Sequence, residues 1–181
     1  MKRRQEGMTI VEVCTVICIA GVVVAAFVPT FVRHLRTSKI AEAAQMLEEM
    51  HRVAAVYYAA RHEVGSSRQA HCLPQAAGPS PAATSSSAVD VDFGAPTTPG
   101  AATWTALGFQ PTQPLRYRYT FAPSQVGCDL HAERGHPLLV MRAEGDLDGD
   151  GARSTFERNA SVDAEGNLVR TDILFVRNRV E

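Results

Sequence analysis

The sequence predicts an α+β fold in which one long N-terminal helix is followed by an antiparallel sheet of about four strands. Residues 13–32 contain no charged side chain, and residues 40–57 repeat apolar side chains at spacings of three and four. Residues from 115 onward fall into short β-rich runs separated by turn signals. The first half of the helix is therefore expected to span a membrane, and the second half to pack on the sheet.

Length and composition limit the number of domains and the classes of partner. A chain of 181 residues with 45% hydrophobic residues suits one modest domain plus a separate N-terminal segment. The formal net charge of -1 is typical neither of a disordered acidic chain nor of a basic nucleic-acid-binding domain. Nucleic acid is therefore not expected as a partner.

The apolar run at the N-terminus has the length of a membrane span. About 20 residues at 1.5 Å per helical residue match the roughly 30 Å thickness of the hydrocarbon core. Lys2, Arg3 and Arg4 precede the run, and basic residues are retained on the cytoplasmic side. We therefore expect a single-pass protein whose remaining residues are exported.

The apolar run continues directly into an amphipathic pattern, so we expect one helix from Met8 to about Glu63. Glu48 and Arg52 are spaced as a favourable i,i+4 pair, whereas His34, His51 and His62 are interpreted as solvated or packing residues. The apolar stripe expected to face a core consists of Ile40, Ala43, Leu47, Met50, Ala54 and Tyr57.

Three residues in the apolar run are unusual for a simple anchor. Gly21 weakens a helix, and Pro29 removes a backbone donor and clashes with the preceding turn, so a kink is expected between them. Glu12 places a carboxylate among apolar residues, where charged groups are costly and normally paired or functional. These residues indicate a role for the segment beyond anchoring.

The stretch GMTIVE, residues 7–12, preceded by a short basic leader, resembles the class III signal of type IV pilins and of type II secretion pseudopilins. The resemblance implies cleavage after Gly7 by a prepilin peptidase, which also methylates the new N-terminal amine of Met8. Glu12 then becomes the fifth residue, and Gly21 and Pro29 lie where the family carries its helix breakers. Glu12 is expected to pair with that amine on a neighbouring subunit in the filament, or transiently with the amine of its own chain.

The resemblance implies a non-enzymatic structural subunit of a type IV pilus-like filament, with helices in its core and sheet domains on its surface. Implied partners are identical or related pilin subunits, the peptidase/methyltransferase, a platform protein and an assembly ATPase. Implied locations are the inner membrane for the precursor and the cell surface for the filament. The alternatives are a minor pilin or secretion pseudopilin and, in a different class, a permanently anchored extracellular calcium-dependent binding module.

Segments 64–103 and 104–181 complete the predicted organisation after the helix. The first segment is rich in Pro, Ala and Ser, which predicts an elaborated surface loop with one short edge strand at residues 88–93. The second is a globular β domain whose core includes Trp104, Leu107 and Phe109. The predicted segments are a leader at 1–7, a membrane and filament-core helix at 8–32, an amphipathic helix at 33–63, the loop at 64–103 and the β domain at 104–181, with strands at 115–121, 137–143, 154–162 and 168–176.

Two of the four cysteines lie in the exported part. Cys72 and Cys128 are expected to form a disulfide, because an even pair in an oxidising compartment normally does so. The alternative is a zinc site that combines these thiolates with His71 and His131. Cys14 and Cys18 lie in the apolar helix and are interpreted as packing residues, with acylation as an alternative.

The stretch DLDGDGARSTFE, residues 146–157, fits the spacing of an EF-hand calcium loop. Carboxylates converge on the cation in such loops, and a glycine permits the sharp turn. Because strands flank the stretch, we expect a lone loop without a helix pair, and the alternative is an acidic turn without metal. The predicted calcium ligands are Asp146, Asp148, Asp150, Ala152, Ser154 and Glu157.

Overall fold

The computed structural model describes residues 9–65, 68–128, 130, 136–147 and 149–177. The predicted leader and cleavage site, including Gly7 and Met8, lie outside this part of the chain. The fold is α+β, as predicted, and the chain divides between residues 39 and 40 into two compact units. The elements in chain order are α1 (Ile10–Ala59), β1 (His62–Val64), β2 (Arg68–Ala70), β3 (Cys72–Leu73), β4 (Ala77–Ser80), α2 (Ala101–Leu107), β5 (Arg118–Pro123), β6 (Gly127–Cys128), β7 (Leu139–Gly145), β8 (Ser154–Val162) and β9 (Leu168–Arg177).

The first unit contains the apolar half of α1. Its stretch Ile10–Val28 has a mean hydropathy of 2.6 over 19 residues and none of it is buried, so it is long and apolar enough to cross a membrane. The helix is continuous through Gly21 and Pro29, where the sequence predicts a kink. A proline within a helix removes one backbone hydrogen bond but does not by itself end the helix.

The second unit contains an antiparallel sheet with the strand order β4-β5-β7-β8-β9. This sheet has five strands instead of about four, because Ala77–Ser80 of the predicted loop pairs with β5. The same segment also supplies β2, β3 and the start of α2, so it is not simply loop. β3 and β4 pair with β6 and β5, which are distant in sequence, whereas β2 pairs with the neighbouring β1, and strands this short have no periodicity of their own. Two further pairs, β1-β2 and β3-β6, lie outside the main sheet.

The four predicted strands correspond to β5, β7, β8 and β9, with bounds that differ by up to three residues. Predicted strand 88–93 is reduced to one isolated bridge between Val89 and Leu115. Helix α1 ends at Ala59, four residues before the predicted end at Glu63. Two imidazoles donate hydrogen bonds to the last carbonyls of α1. His62 Nε2 donates to Tyr57 O at 2.9 Å, and His71 Nδ1 donates to Tyr58 O at 2.7 Å.

The core of the second unit joins the amphipathic half of α1 to the sheet. The predicted stripe is largely correct, since Ala43, Leu47, Met50 and Ala54 are buried and Ile40 and Tyr57 are partly buried. Phe93, Trp104 and Phe109 pack edge to face or tilted, with ring centroids 5.1 to 5.3 Å apart. Trp104 Nε1 donates to Pro99 O at 2.9 Å, so the indole also anchors the segment that precedes α2.

Glu42 joins α1 to the chain that leads into β5. Its Oε1 accepts a hydrogen bond from the backbone amide of Arg116 at 2.7 Å and longer ones from the Tyr117 amide and the Tyr119 hydroxyl, both at 3.4 Å. The carboxylate is mostly buried, and it satisfies the backbone amides of the two residues that precede β5. Burial is the main cause that raises the pKa of Tyr119, and the nearby Glu42 carboxylate adds to it.

We expect Glu42→Ala to destabilise the second unit by about 2 to 3 kcal/mol, because it leaves buried backbone donors without an acceptor. Fluorescence of Trp104, the single tryptophan, reports unfolding of the full-length chain by urea in detergent micelles. Glu49→Ala is the matched control, because Glu49 pairs with Arg52 on the exposed helix surface and its loss is expected to cost at most about 0.5 kcal/mol. Equal effects of the two substitutions would contradict the role of Glu42.

Candidate functional site

Glu12 and Thr9 form a reciprocal cap at the start of α1. The Glu12 carboxylate Oε2 accepts hydrogen bonds from the Thr9 amide and from Thr9 Oγ1, both at 2.8 Å. In return, the Glu12 amide donates to Thr9 Oγ1 at 3.3 Å, and Val13 N donates to Thr9 O at 3.1 Å. This is the capping-box arrangement, in which Thr9 is the N-cap and Glu12 the third helical residue.

The capping box gives Glu12 a partner within its own chain, which the sequence analysis missed. The signal was present as the spacing Thr-x-x-Glu before an apolar run. The predicted pairing with an amine of a neighbouring subunit is a separate contact, and it stays a prediction. Thr9 and Glu12 lie two and five residues after the predicted cleavage point, so the cap belongs to the region that processing would expose.

The remaining predicted assembly residues lie along the same apolar helix. No heavy atom of the described residues outside the local helix backbone lies within 4 Å of a Cβ built at Gly21, so this position is open to a neighbouring helix. Pro29 lies within the helix, and Cys14 and Cys18 are exposed free thiols. The structure therefore places Glu12, Gly21 and Pro29 on one continuous helix, with the side chains of residues 10–28 exposed.

Cys72 and Cys128 form the predicted disulfide, with an S–S distance of 1.97 Å. They face each other as a registered pair between β3 and β6. The bond removes both thiolates from the alternative zinc site, and the His71 ring stacks on Tyr58. His131, the last ligand of that alternative, lies outside the described residues.

Two of the predicted calcium ligands, Ser154 and Glu157, lie on strand β8 and bind other protein groups instead of converging with the loop carboxylates. Glu157 pairs with Arg142 on β7 at 2.5 Å, and the buried Ser154 hydroxyl donates to Gly145 O at 3.1 Å. Cross-strand pairing turns the Glu157 side chain toward a guanidinium instead of the loop. Binding of a cation by this residue would require it to leave Arg142.

The described part of the acidic loop is organised by hydrogen bonds to backbone amides. The Asp146 carboxylate accepts from Gly149 N at 2.8 Å and Gly151 N at 3.2 Å, and Asp150 accepts from Ala152 N at 2.7 Å. These contacts are those of the acidic turn that was the alternative to calcium. Asp148 lies outside the described residues, and among those described no three His, Cys, Asp or Glu side chains converge as a metal site. Calcium binding stays a prediction of the sequence.

Comparisons of the chain with models of protein families, with curated proteins and with solved structures found no match. Functional conclusions therefore depend on the residues and contacts described above.

Proposed function

We propose that the chain is the precursor of a subunit of a type IV pilus-like filament. It is inserted as a single-pass membrane protein, cut after Gly7, methylated at Met8 and polymerised through α1. On this proposal the first unit enters the filament core and the second unit forms the surface. A minor pilin or a secretion pseudopilin would be processed and assembled in the same way but would occupy a different place in the filament.

The observation that carries the proposal is the combination of an exposed apolar helix with a carboxylate near its start. All described side chains from residue 10 to residue 28 are exposed, so the helix requires a lipid or protein environment. Glu12 lies within this stretch and is held by Thr9 beside the predicted new N-terminus. In a helix built only as an anchor, the carboxylate would serve the capping box alone.

Mass spectrometry of the mature protein from its native membrane tests the processing step. The expected N-terminal residue is Met8 with a methylated amine. An intact leader would instead favour the permanently anchored extracellular module. Removal of surface fibres on deletion would indicate a major subunit, whereas loss of secretion with intact fibres would indicate a pseudopilin.

The role of Glu12 in assembly can be separated from its role in the capping box. Glutamine at the third helical position preserves a capping box, because its amide oxygen accepts the same hydrogen bonds, but it carries no charge. If Glu12 pairs with the amine of another subunit, Glu12→Gln is expected to abolish incorporation into filaments while membrane insertion and cleavage remain normal. Immunoblotting of sheared filament and membrane fractions measures both outcomes.

Thr9→Val is the complementary variant, because it removes the hydroxyl of the capping box and leaves the charge of Glu12 in place. We expect Thr9→Val to assemble. The opposite pattern, with normal assembly of Glu12→Gln and failure of Thr9→Val, would assign Glu12 to helix capping alone and contradict the intersubunit pair.

A further inference from the structure

His51 lies where the second half of α1 meets strands β8 and β9, next to an incompletely balanced ion cluster. Oε2 of Glu48 accepts hydrogen bonds from Nη1 of Arg158 on β8 and from Nη1 of Arg170 on β9. The predicted pairing of Glu48 with Arg52 is wrong, because Arg52 pairs with Glu49 at 2.5 Å. One carboxylate therefore serves two guanidiniums, and these three described side chains together carry a net positive charge.

The His51 ring has one nitrogen that is poorly placed to carry a proton. Nε2 is buried and has no hydrogen-bond partner among the described residues, and Leu168 at the start of β9 lines the groove beside the ring. A proton on Nε2 would be buried without an acceptor, and an unpaired buried donor is costly. The contact between α1 and the start of β9 therefore suits a neutral imidazole.

Charged or titratable side chains from several elements line the groove beside His51. Besides the ion cluster, the groove beside His51 is lined by Arg52 of α1, by Glu165 of the β8–β9 turn and by His71, which precedes β3. Burial is the largest cause that lowers the pKa of His51, and Arg158 and Arg170 add to it, whereas Glu48 and the Leu168 backbone act in the opposite direction. Glu48 is already shared by two guanidiniums, so it is poorly available to a third cation.

We propose that His51 makes the packing of α1 against the β8–β9 hairpin acid-sensitive, so that this contact opens locally when the imidazole is protonated. In the unfolded chain His51 takes up its proton near pH 6.5, the ordinary value for histidine. In the folded chain its pKa is lower, so protonation requires a lower pH. Acid therefore favours the opened or unfolded chain over the packed one. The stability that the neutral His51 contributes is fully present above pH 6.5. It decreases as the pH falls through that value, and the decrease ends below the folded-state pKa of His51.

Hydrogen exchange of the full-length chain in detergent micelles tests the proposal between pH 7.5 and pH 5. After correction for the intrinsic pH dependence of exchange, we expect severalfold faster opening at pH 5 for amides of residues 47–59 and 166–171. His51→Gln, which cannot become charged, is expected to remove this increase. His71→Gln is the matched control, because His71 lines the same groove, and it is expected to retain the increase.

An unchanged opening rate in the wild-type chain, or the same increase in His51→Gln, would overturn the proposal. If His51→Gln does not fold, an NMR titration of the wild-type chain tests the same proposal. The His51 ring signals are expected to titrate below about pH 6.5, the ordinary value for histidine, together with the Leu168 amide signal. Titration of His51 at or above about pH 6.5, or without an effect on the Leu168 amide, would contradict the proposal.

Discussion

Gly78→Ala is expected to destabilise the second unit by about 3 to 5 kcal/mol, the sum of backbone strain and steric overlap. Gly78 has a φ of +92°, which residues with a side chain rarely adopt. A Cβ at this position would lie 2.3 Å from the backbone oxygen of Tyr119 and 3.1 Å from the Cα of Thr120. Because both atoms belong to β5, the overlap can be relieved only by moving β4 away from the sheet.

Gly166→Ala is the matched control for Gly78→Ala. Gly166 has a similar φ of +85°, but no atom in the described part of the chain lies within 4 Å of a Cβ built there. Its substitution is therefore expected to cost only the backbone strain, about 1 to 2 kcal/mol. Urea unfolding followed by the fluorescence of Trp104 measures both variants, and an equal cost would contradict the steric contribution at Gly78.

Removal of the disulfide by the double substitution of Cys72 and Cys128 with alanine is expected to cost about 4 kcal/mol. The two cysteines are 56 residues apart, and the estimate follows from the loop-closure entropy that the bond removes from the unfolded chain. The β3-β6 pair comprises only two residue pairs, so it contributes little stability of its own. The expected result is a lower urea midpoint of the same Trp104 transition.

The double substitution of Cys14 and Cys18 with alanine controls for the general effect of losing two cysteines. Both thiols are free and exposed on the apolar half of α1, and the unfolding of the second unit is expected to be unchanged. A second test is reduction of the wild type, which should lower the midpoint as far as the alanine substitutions do. A loss below 1 kcal/mol in either test would contradict the stabilising role of the bond.

Elements with a clear periodicity could be predicted from the sequence. Strand β8 has the predicted bounds, and the buried stripe of α1 is mostly correct, because alternation and three-four spacing are local properties of the chain. Strand β4 could not be predicted, since Ala77–Ser80 has no alternation and pairs with β5 only through tertiary contacts. The added fifth strand is therefore a tertiary effect.

Site residues divide in the same way. The disulfide was predictable, because it follows from the cysteine count together with the export that the sequence predicts. The partner of Glu48 was not, since local spacing suggested Arg52, whereas Arg158 and Arg170 lie more than 100 residues away in sequence. The acidic loop fits a calcium pattern by spacing alone, but β8 begins at Ser154 and orients Glu157 toward Arg142. Spacing motifs do not specify where a strand begins.

The bond between Cys72 and Cys128 also limits how far the chain can lengthen under tension. The sequence separation of 56 between the two cysteines corresponds to a contour length of about 190 Å at roughly 3.4 Å per residue. Force that enters through α1 and leaves through β7, β8 or β9 bypasses this segment, because the covalent path crosses directly from β3 to β6. Even if β4, α2 and β5 unfold, none of that contour is released while the bond is intact. The oxidation state of this pair therefore decides whether residues 72–128 can lengthen under load.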